Sequence, residues 1–294
     1  MGRLYESLKR AEAEFRQPGP SIDEFVRTPD FMGGFIAEPL QLESVSTATM
    51  EIGAKSYLVA LTDPKGLASE KFRALVARLE HLRKDRELKS LLITSSVVNE
   101  GKTLVTGNLA VTLAKHSGSK VLVIEGDLRR PALASFLGLK RLQGVHHWWS
   151  SRKENIAHYV YKINSLPLWF LGAGEPCDQP SQILQSPEFS EAFAQLTGPF
   201  DWILVDSPPM SPTVDVNLWS RLVDGMLLVV REGFAPVRAV EQGIASLDSP
   251  KLVGVVLNEN SELARKNYYY NDSVQSKEHV KKNANARISP KGAS

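Results

Sequence analysis

Residues 95–103 read Ser-Ser-Val-Val-Asn-Glu-Gly-Lys-Thr, follow an apolar run at residues 91–93 and precede a helical pattern. A Gly-Lys-Thr triplet between a strand and a helix is typical of a phosphate-binding loop, in which backbone N–H groups and the helix N-terminus face the phosphate oxygens. Lys102 is expected to reach the β- and γ-phosphates, and the Thr103 hydroxyl to bind Mg²⁺. The stretch therefore predicts a nucleotide-binding protein whose ligands are ATP and Mg²⁺.

The loop departs from the pattern G-x-x-x-x-G-K-[ST] at one position, because Ser96 stands where the pattern has glycine. Serine is small, and Asn99 tolerates a positive φ better than most residues, so we expect the loop geometry to be kept. The residues predicted to contact the nucleotide are Ser96, Asn99, Glu100, Gly101, Lys102, Thr103, Leu104 and Arg129.

Apolar runs alternate with helical patterns over most of the chain. Predicted strands cover residues 91–93, 121–124, 166–171, 202–205, 225–230 and 252–257, and predicted helices cover residues 69–82, 104–116, 131–137, 181–196 and 236–247. Apolar runs without internal alternation are typical of strands buried on both faces. The pattern predicts an α/β P-loop NTPase fold, a doubly wound and mostly parallel sheet with helices on both faces.

The two ends of the chain differ from this middle part. Residues 1–65 are predicted to form an amphipathic helix at 1–16, which packs on its own domain or docks on a partner, and a linker with one short strand at 56–61. Residues 66–260 form the predicted P-loop nucleotide-binding domain. Residues 261–294 carry seven Lys or Arg against three acidic residues and few apolar ones, which predicts a flexible basic tail.

Acidic residues follow two of the predicted strands. Asp206 comes directly after residues 202–205, where a carboxylate can hold Mg²⁺ or its water. Glu125 and Asp127 follow residues 121–124, and such a pair beside Mg-ATP can orient the metal and accept a proton from an attacking hydroxyl. The predicted catalytic residues are therefore Lys102, Glu125, Asp127 and Asp206, and the predicted metal ligands are Thr103, Asp127 and Asp206.

Composition narrows the class of protein further. The chain has 294 residues, 43% hydrophobic and 23% charged, with a formal net charge of +2 that gives no indication of nucleic-acid binding. Cys177 is the single cysteine, which favours a reducing compartment. No apolar run reaches the length of a membrane span, and residues 1–17 lack the apolar region of a signal peptide. We therefore expect a cytoplasmic protein.

His146 and His147 lack a matching ligand cluster, so a metal hydrolase is poorly supported.

Several stretches together resemble the bacterial tyrosine kinases (BY-kinases), the capsular and exopolysaccharide autokinases whose P-loop fold is related to that of partition ATPases. The resemblance runs from about residue 69 to residue 258 and rests on Gly101-Lys102-Thr103, on Asn108-Leu109-Ala110, on Val-Ile-Glu-Gly-Asp-Leu-Arg-Arg-Pro at 123–131 and on Val-Asp-Ser-Pro-Pro at 205–209. The stretch at 123–131 is the part specific to this family.

The resemblance implies an ATP-dependent tyrosine autokinase that regulates exopolysaccharide or capsule synthesis and export. It implies phosphorylation of tyrosines in the tail of a neighbouring subunit in a homo-oligomeric ring, and Tyr268, Tyr269 and Tyr270 lie in the predicted tail. It also implies a cognate phosphatase and a membrane partner of the chain-length-determinant type, a polysaccharide co-polymerase that supplies an activating cytoplasmic segment. The protein would then be peripheral to the inner membrane through this partner.

Two positions depart from the family pattern and predict reduced activity. Glu125 stands where the family usually has Asp, and Val76 replaces the second arginine of a Glu-x-x-Arg-x-x-Arg oligomerisation helix that begins at Glu70. A catalytically weak ATP-binding scaffold of the same export machinery is therefore an alternative. A partition-type ATPase is another, although that class has a signature lysine at the position of Val97.

Overall fold

The computed structural model describes residues 42, 45–53, 56–151, 154–163, 166–210, 214–245 and 251–259. The amphipathic helix predicted at residues 1–16 and the tyrosine cluster Tyr268–Tyr270 lie outside these residues. None of the helices in the described part of the chain has the length and apolar character needed to cross a lipid bilayer.

The described residues form one sheet and its flanking helices. The strands are β1 (Ser46–Ala48), β2 (Ser90–Ser95), β3 (Val121–Glu125), β4 (Val160–Ile163), β5 (Leu168–Leu171), β6 (Trp202–Asp206), β7 (Gly225–Arg231) and β8 (Leu252–Asn258). The α-helices are α1 (Val59–Thr62), α2 (Leu67–Leu82), α3 (Lys102–Thr112), α4 (Leu133–Phe136), α5 (Val145–Ser151), α6 (Pro180–Leu184), α7 (Pro187–Thr197), α8 (Asp215–Leu222) and α9 (Val237–Ala245). A π-helical turn (Leu113–Ser117) extends α3, and a 3₁₀ turn (Ile156–Tyr159) precedes β4.

The eight strands pair in the order β1-β4-β5-β3-β6-β2-β7-β8, and every pair is parallel except β4 with β5. β3, β6, β2 and β7 are therefore neighbours in the middle of the sheet, so the loops at their carboxyl ends share one edge. Ligands bind at this edge in open parallel sheets. The predicted phosphate loop and both predicted acidic stretches lie there.

Alternate residues of the central strands pack into two separate cores, one on each face of the sheet. In β2, Leu92 joins a core with α7 and α8, whereas Leu91 and Ile93 join a second core with α2 and α3. β2, β3 and β6 are buried along their whole length. The prediction of a doubly wound, mostly parallel sheet with helices on both faces is confirmed.

Local predictions were wrong at two places, each for a physical reason. The strand predicted at 56–61 is instead helical from Val59, because the side chain of Asn108 on α3 holds the Val59 N–H at 2.8 Å. The helix predicted at 181–196 is two helices, because Ser186 caps a new one: its hydroxyl accepts from the Phe189 N–H at 3.1 Å, and Pro187 follows it. The sequence analysis also missed the strands β1 and β4 and the helices α5 and α8; residues 146–149 of α5 were interpreted as a loop.

Candidate nucleotide and phosphotransfer site

The loop from Ser96 to Gly101 joins β2 to α3 through two residues with positive φ. Gly101 has φ 92° and ψ 20°, and Asn99 has φ 64°, the positive value that the sequence suggested it would tolerate. A Cβ at Gly101 would lie 2.2 Å from Asn258 Nδ2. Position 101 therefore requires glycine both for its backbone conformation and for the close approach of Asn258.

The buried side chain of Glu100 holds this loop in place through hydrogen bonds. Its carboxylate is fully buried, with Oε2 accepting from the Val97 N–H at 2.9 Å and Oε1 from the Arg231 N–H at 3.2 Å. Asn258 Nδ2 donates to the Glu100 carbonyl at 2.9 Å. The loop is thus tied to the ends of β7 and β8. The side chain of Glu100 is used in these contacts, which leaves its backbone as the part that can contact a nucleotide.

Thr103 and Asp206 form the central contact of the site. Thr103 Oγ1 donates to Asp206 Oδ2 at 2.8 Å, and Thr106, one turn further along α3, reaches Asp206 Oδ1 at 3.3 Å. β6 presents Asp206 at its last residue, directly beside the first turn of α3. A threonine hydroxyl and a carboxylate at this distance are an oxygen donor set that suits Mg²⁺.

Lys102 and Asp127 form a second pair at the same sheet edge. Lys102 Nζ lies 3.5 Å from Asp127 Oδ2, and Asp127 Oδ1 accepts from the Arg130 N–H at 3.1 Å. The ammonium is therefore held next to the carboxylate pair formed by Asp127 and Asp206. Together the lysine, the hydroxyl and the two carboxylates have the chemistry needed to bind nucleotide phosphates and a divalent cation.

Burial raises the pKa of Asp206 to about 6, while Lys102 and the Thr103 hydroxyl act to lower it and the nearby carboxylates Asp127 and Glu125 to raise it. A buried carboxylate among other acids resists ionisation until a cation compensates its charge. Cation binding at this site is therefore expected to release a proton at pH values near and below about 6.

Glu125 has a different environment from the other two acids. It is 3% exposed, and its Oε1 accepts from the Ala134 N–H at 3.0 Å while Oε2 accepts from the Ala173 N–H at 3.1 Å. Burial raises the pKa of Glu125, and these backbone hydrogen bonds partly offset that effect. Both carboxylate oxygens therefore already connect β3 to α4 and to the loop after β5.

Arg129 also makes contacts within the protein. Its Nε donates to Asp215 Oδ2 at 2.9 Å, and another guanidinium nitrogen donates to the Asp178 carbonyl at 2.9 Å. The hydrogen bond with Asp215 raises the pKa of Arg129. Arg129 thus connects the loop after β3 to α8. The sequence predicted that Arg129 contacts the nucleotide and did not indicate this connection.

Asn108 connects α3 to the segment before α2. Its Nδ2 donates to the carbonyls of Tyr57 and Leu104, each at 2.9 Å, and its Oδ1 accepts from the Val59 N–H at 2.8 Å. In the sequence analysis Asn108 was singled out only as part of the Asn108-Leu109-Ala110 stretch, with no role of its own. The structure gives it the role of holding the 57–59 segment against the helix that begins at Lys102.

Val76 on α2 is the second position, after Glu125, at which the chain departs from the family pattern. Glu70 and Arg73 form an ion pair one turn apart on α2, and Arg73 also donates to the Pro64 carbonyl at 2.9 Å. Val76 is 5% exposed and packs in the core beneath α2. The position of the family's second arginine is therefore a core position in this chain.

The phosphate loop, the parallel sheet and the acids at its edge define a P-loop nucleotide-binding protein. No protein-family model matches the chain. The tyrosine-protein kinase YwqD of Bacillus subtilis is 30% identical over 204 residues, covering 68% of this chain and 85% of YwqD. The succinoglycan biosynthesis transport protein ExoP of Rhizobium meliloti is 29% identical over 209 residues, covering 68% of this chain and 26% of ExoP.

A solved structure agrees with these relatives. The BceF tyrosine kinase domain is 27% identical and superimposes with a TM-score of 0.60, covering 68% of this chain and 81% of that domain. The chain therefore belongs to the bacterial tyrosine kinase family.

Proposed function

We propose that the protein is an ATP-dependent protein-tyrosine autokinase that regulates exopolysaccharide or capsule synthesis and export. The observation that carries the proposal is the convergence at one sheet edge of Thr103 Oγ1 with Asp206 Oδ2 at 2.8 Å and of Lys102 Nζ with Asp127 Oδ2 at 3.5 Å. Phosphoryl transfer depends on positioning and charge stabilisation, and these four side chains supply both.

In this proposal each residue has a separate task. Lys102 neutralises charge on the β- and γ-phosphates, and the backbone of the 96–101 loop holds the phosphate oxygens. Thr103 and Asp206 hold Mg²⁺, which when bound to ATP neutralises charge that develops on the phosphates. Asp127 orients Lys102 and is the carboxylate that remains for the proton of the attacking tyrosine.

Glu125 is a positioning residue in this proposal. Its carboxylate keeps the end of β3 attached to α4 and to the loop after β5 through the backbone N–H groups of Ala134 and Ala173. It thereby fixes the stretch that carries Asp127, two residues later. This differs from the direct catalytic role that the sequence analysis predicted for Glu125 from its place directly after a strand.

Replacement of Glu125 by Asp is therefore expected to lower the autophosphorylation rate. The aspartate side chain is shorter by about 1.5 Å, one carbon–carbon bond, and cannot reach both backbone donors. A misplacement of this order can cost on the order of 10²-fold in rate. Radiolabel incorporation from Mg-ATP would measure the effect, and a rate above that of the wild type would show that the site prefers the shorter acid.

We infer that the phosphate acceptors are Tyr268, Tyr269 and Tyr270, which the chain places after Asn258, the last residue of β8. This strand ends at the same sheet edge as the phosphate loop, since Asn258 contacts Glu100. The tail could reach the site of a neighbouring subunit in a homo-oligomer.

The membrane partner in this proposal is a co-polymerase of the chain-length-determinant type. The support is ExoP, a protein named for succinoglycan transport in which the region similar to this chain makes up 26% of the length. The cytoplasmic segment of the proposed co-polymerase would activate the kinase and hold it at the inner membrane. A cognate phosphatase would remove the phosphate from the tyrosines.

Replacing Tyr268, Tyr269 and Tyr270 together by Phe should remove most of the phosphotyrosine while ATP binding is unchanged. Phe keeps the size and apolarity of each side chain and removes only the acceptor hydroxyl. Quantitative phosphopeptide mass spectrometry after incubation with Mg-ATP would measure the loss, with Tyr161→Phe as the control because Tyr161 lies within β4. Unchanged phosphotyrosine in the triple variant would exclude the tail as the main acceptor.

A further inference from the structure

The three tyrosines in the described part of the chain differ sharply in their surroundings. Tyr159 is 6% exposed, and its hydroxyl donates to Glu154 Oε2 at 2.7 Å. Tyr161 is partly buried in β4, and burial raises its pKa. Tyr57, by contrast, is 71% exposed, although tyrosine side chains are typically intermediate in burial. Of these three, Tyr57 is the one whose ring a kinase site could receive without unfolding the sheet.

The backbone around Tyr57 is tied to the phosphate-loop helix while its ring is exposed. Asn108 holds the Tyr57 carbonyl and the Val59 N–H, and Lys115 Nζ donates to the Ala60 carbonyl at 2.8 Å. Asn108 is six residues after Lys102 on α3. Six residues correspond to about 9 Å along a helix axis, so the backbone at Tyr57 is held on α3 less than two turns after Lys102.

The segment that leads to Tyr57 also suits an acceptor. In its described part, residues 49–53 and 56–58, the chain has neither helix nor strand between β1 and α1. An acceptor tyrosine must enter the active site on a stretch of backbone that is not committed to a sheet or a helix. Tyr57 meets this requirement, and Tyr159 and Tyr161 do not.

We propose that Tyr57 is a second autophosphorylation site, in addition to the tail. In the reaction the Tyr57 hydroxyl oxygen forms a bond to the γ-phosphorus of ATP, and the bond from that phosphorus to the β–γ bridging oxygen breaks, so that ADP leaves. The phenolic proton passes to the carboxylate of Asp127. The inference rests on the kinase activity proposed above.

Phosphorylation of Tyr57 would place new charge beside the contact between this segment and α3, the helix that begins at Lys102. A phosphate adds about −1.5 to −2 charges at neutral pH. The charge would be on a residue whose own carbonyl is bonded to Asn108 of α3, and the ammonium of Lys115 binds the same segment three residues further on. The modification is thus positioned to change how the segment before α2 is held on the phosphate-loop helix.

The test uses the full-length chain carrying Phe at 268, 269 and 270, so that the tail cannot dominate the signal. After incubation with Mg-ATP and digestion with trypsin, residues 56–65 form a peptide that contains Tyr57 as its single tyrosine, between Lys55 and Lys65. We expect fragment spectra to place phosphate on Tyr57 in a substantial fraction of chains. The signal should vanish with Tyr57→Phe and with Lys102→Met, and the peptide that carries Tyr159 and Tyr161 should stay unmodified.

The outcomes separate this inference from the proposed function. If wild-type protein carries phosphate on its tail while the 56–65 peptide is unmodified, Tyr57 is not an acceptor and the kinase proposal stands. If neither the tail nor Tyr57 is modified, the kinase proposal itself fails. Phosphate on Ser56 or Thr62 instead of Tyr57 would also overturn the assignment.

Discussion

Replacing Lys102 by Met should weaken ATP binding by about a hundredfold and abolish autophosphorylation while the fold is kept. Met retains the length and apolar stem of lysine but cannot make charge-assisted hydrogen bonds to the β- and γ-phosphates. Such bonds contribute about 1.5–3 kcal/mol each, and about 2.7 kcal/mol corresponds to a hundredfold change in affinity. Isothermal titration of ATP into both proteins would measure the change.

The control for this variant is Lys140→Met. Lys140 is a highly exposed lysine whose ammonium lies 3.7 Å from Glu51 Oε1, remote in sequence from the phosphate loop. It should leave ATP affinity unchanged, since exposed ion pairs contribute little. Equal ATP affinity in the Lys102→Met variant and the wild type would contradict the assignment of residues 96–103 as a phosphate-binding loop.

Replacing Asp206 by Asn should lower the kinase rate by about 10²- to 10³-fold, the size of effect seen when a group that stabilises transition-state charge is removed. Asn keeps the shape of the side chain beside Thr103 and Thr106 but loses the charge that Mg²⁺ requires. The dependence of ATP affinity on Mg²⁺ concentration should weaken in parallel.

The same Asp206→Asn change that lowers the kinase rate should leave the thermal stability of the nucleotide-free protein unchanged or raise it. Because the pKa of Asp206 is raised to about 6, the native protein binds this proton more tightly than the unfolded chain does. The stabilising contribution of the protonated carboxyl is present below the unfolded pKa and is lost as the pH rises through about 6. At pH 8 the nucleotide-free Asp206→Asn protein should therefore have a Tm at or above that of the wild type.

Thermal melts across this pH range, with and without Mg-ATP, would measure both effects. Asp201→Asn is a suitable control, because Asp201 lies just before β6 and its Oδ2 accepts from the Lys120 N–H at 2.8 Å. A large loss of stability at pH 8 with Asp206→Asn would show that the ionised carboxylate stabilises the nucleotide-free fold, which is incompatible with a raised pKa at Asp206.

The sheet-edge residues were the part of the site that the sequence predicted most directly. Glycine, lysine and threonine between a strand and a helix, and Asp206 directly after an apolar run, are local patterns with few structural solutions. Once the sheet is parallel, the ends of β2, β3 and β6 meet at one edge, so Lys102, Thr103, Asp127 and Asp206 converge without any further assumption.

The hydrogen bonds that hold the site residues in place could not be predicted from local sequence patterns, because each joins residues far apart in the chain. Glu100 accepts a hydrogen bond from the backbone of Arg231, and Arg129 pairs with Asp215. Motifs describe residue types over a short span and do not show which partner occupies a carboxylate. For that reason the sequence predicted Glu100 and Arg129 as nucleotide contacts and Glu125 as a catalytic residue, and could not show that their side chains are also bonded to other parts of the protein.

The most direct test of the kinase proposal is phosphotyrosine mass spectrometry on the purified full-length protein after incubation with Mg-ATP, alone and with the cytoplasmic segment of the proposed membrane partner. The Lys102→Met protein serves as the matched blank. The proposal predicts phosphotyrosine on the tail residues of the wild type and none on the blank. If the wild type binds ATP but carries no phosphotyrosine under either condition, the kinase proposal is contradicted and an ATP-binding scaffold describes the protein better.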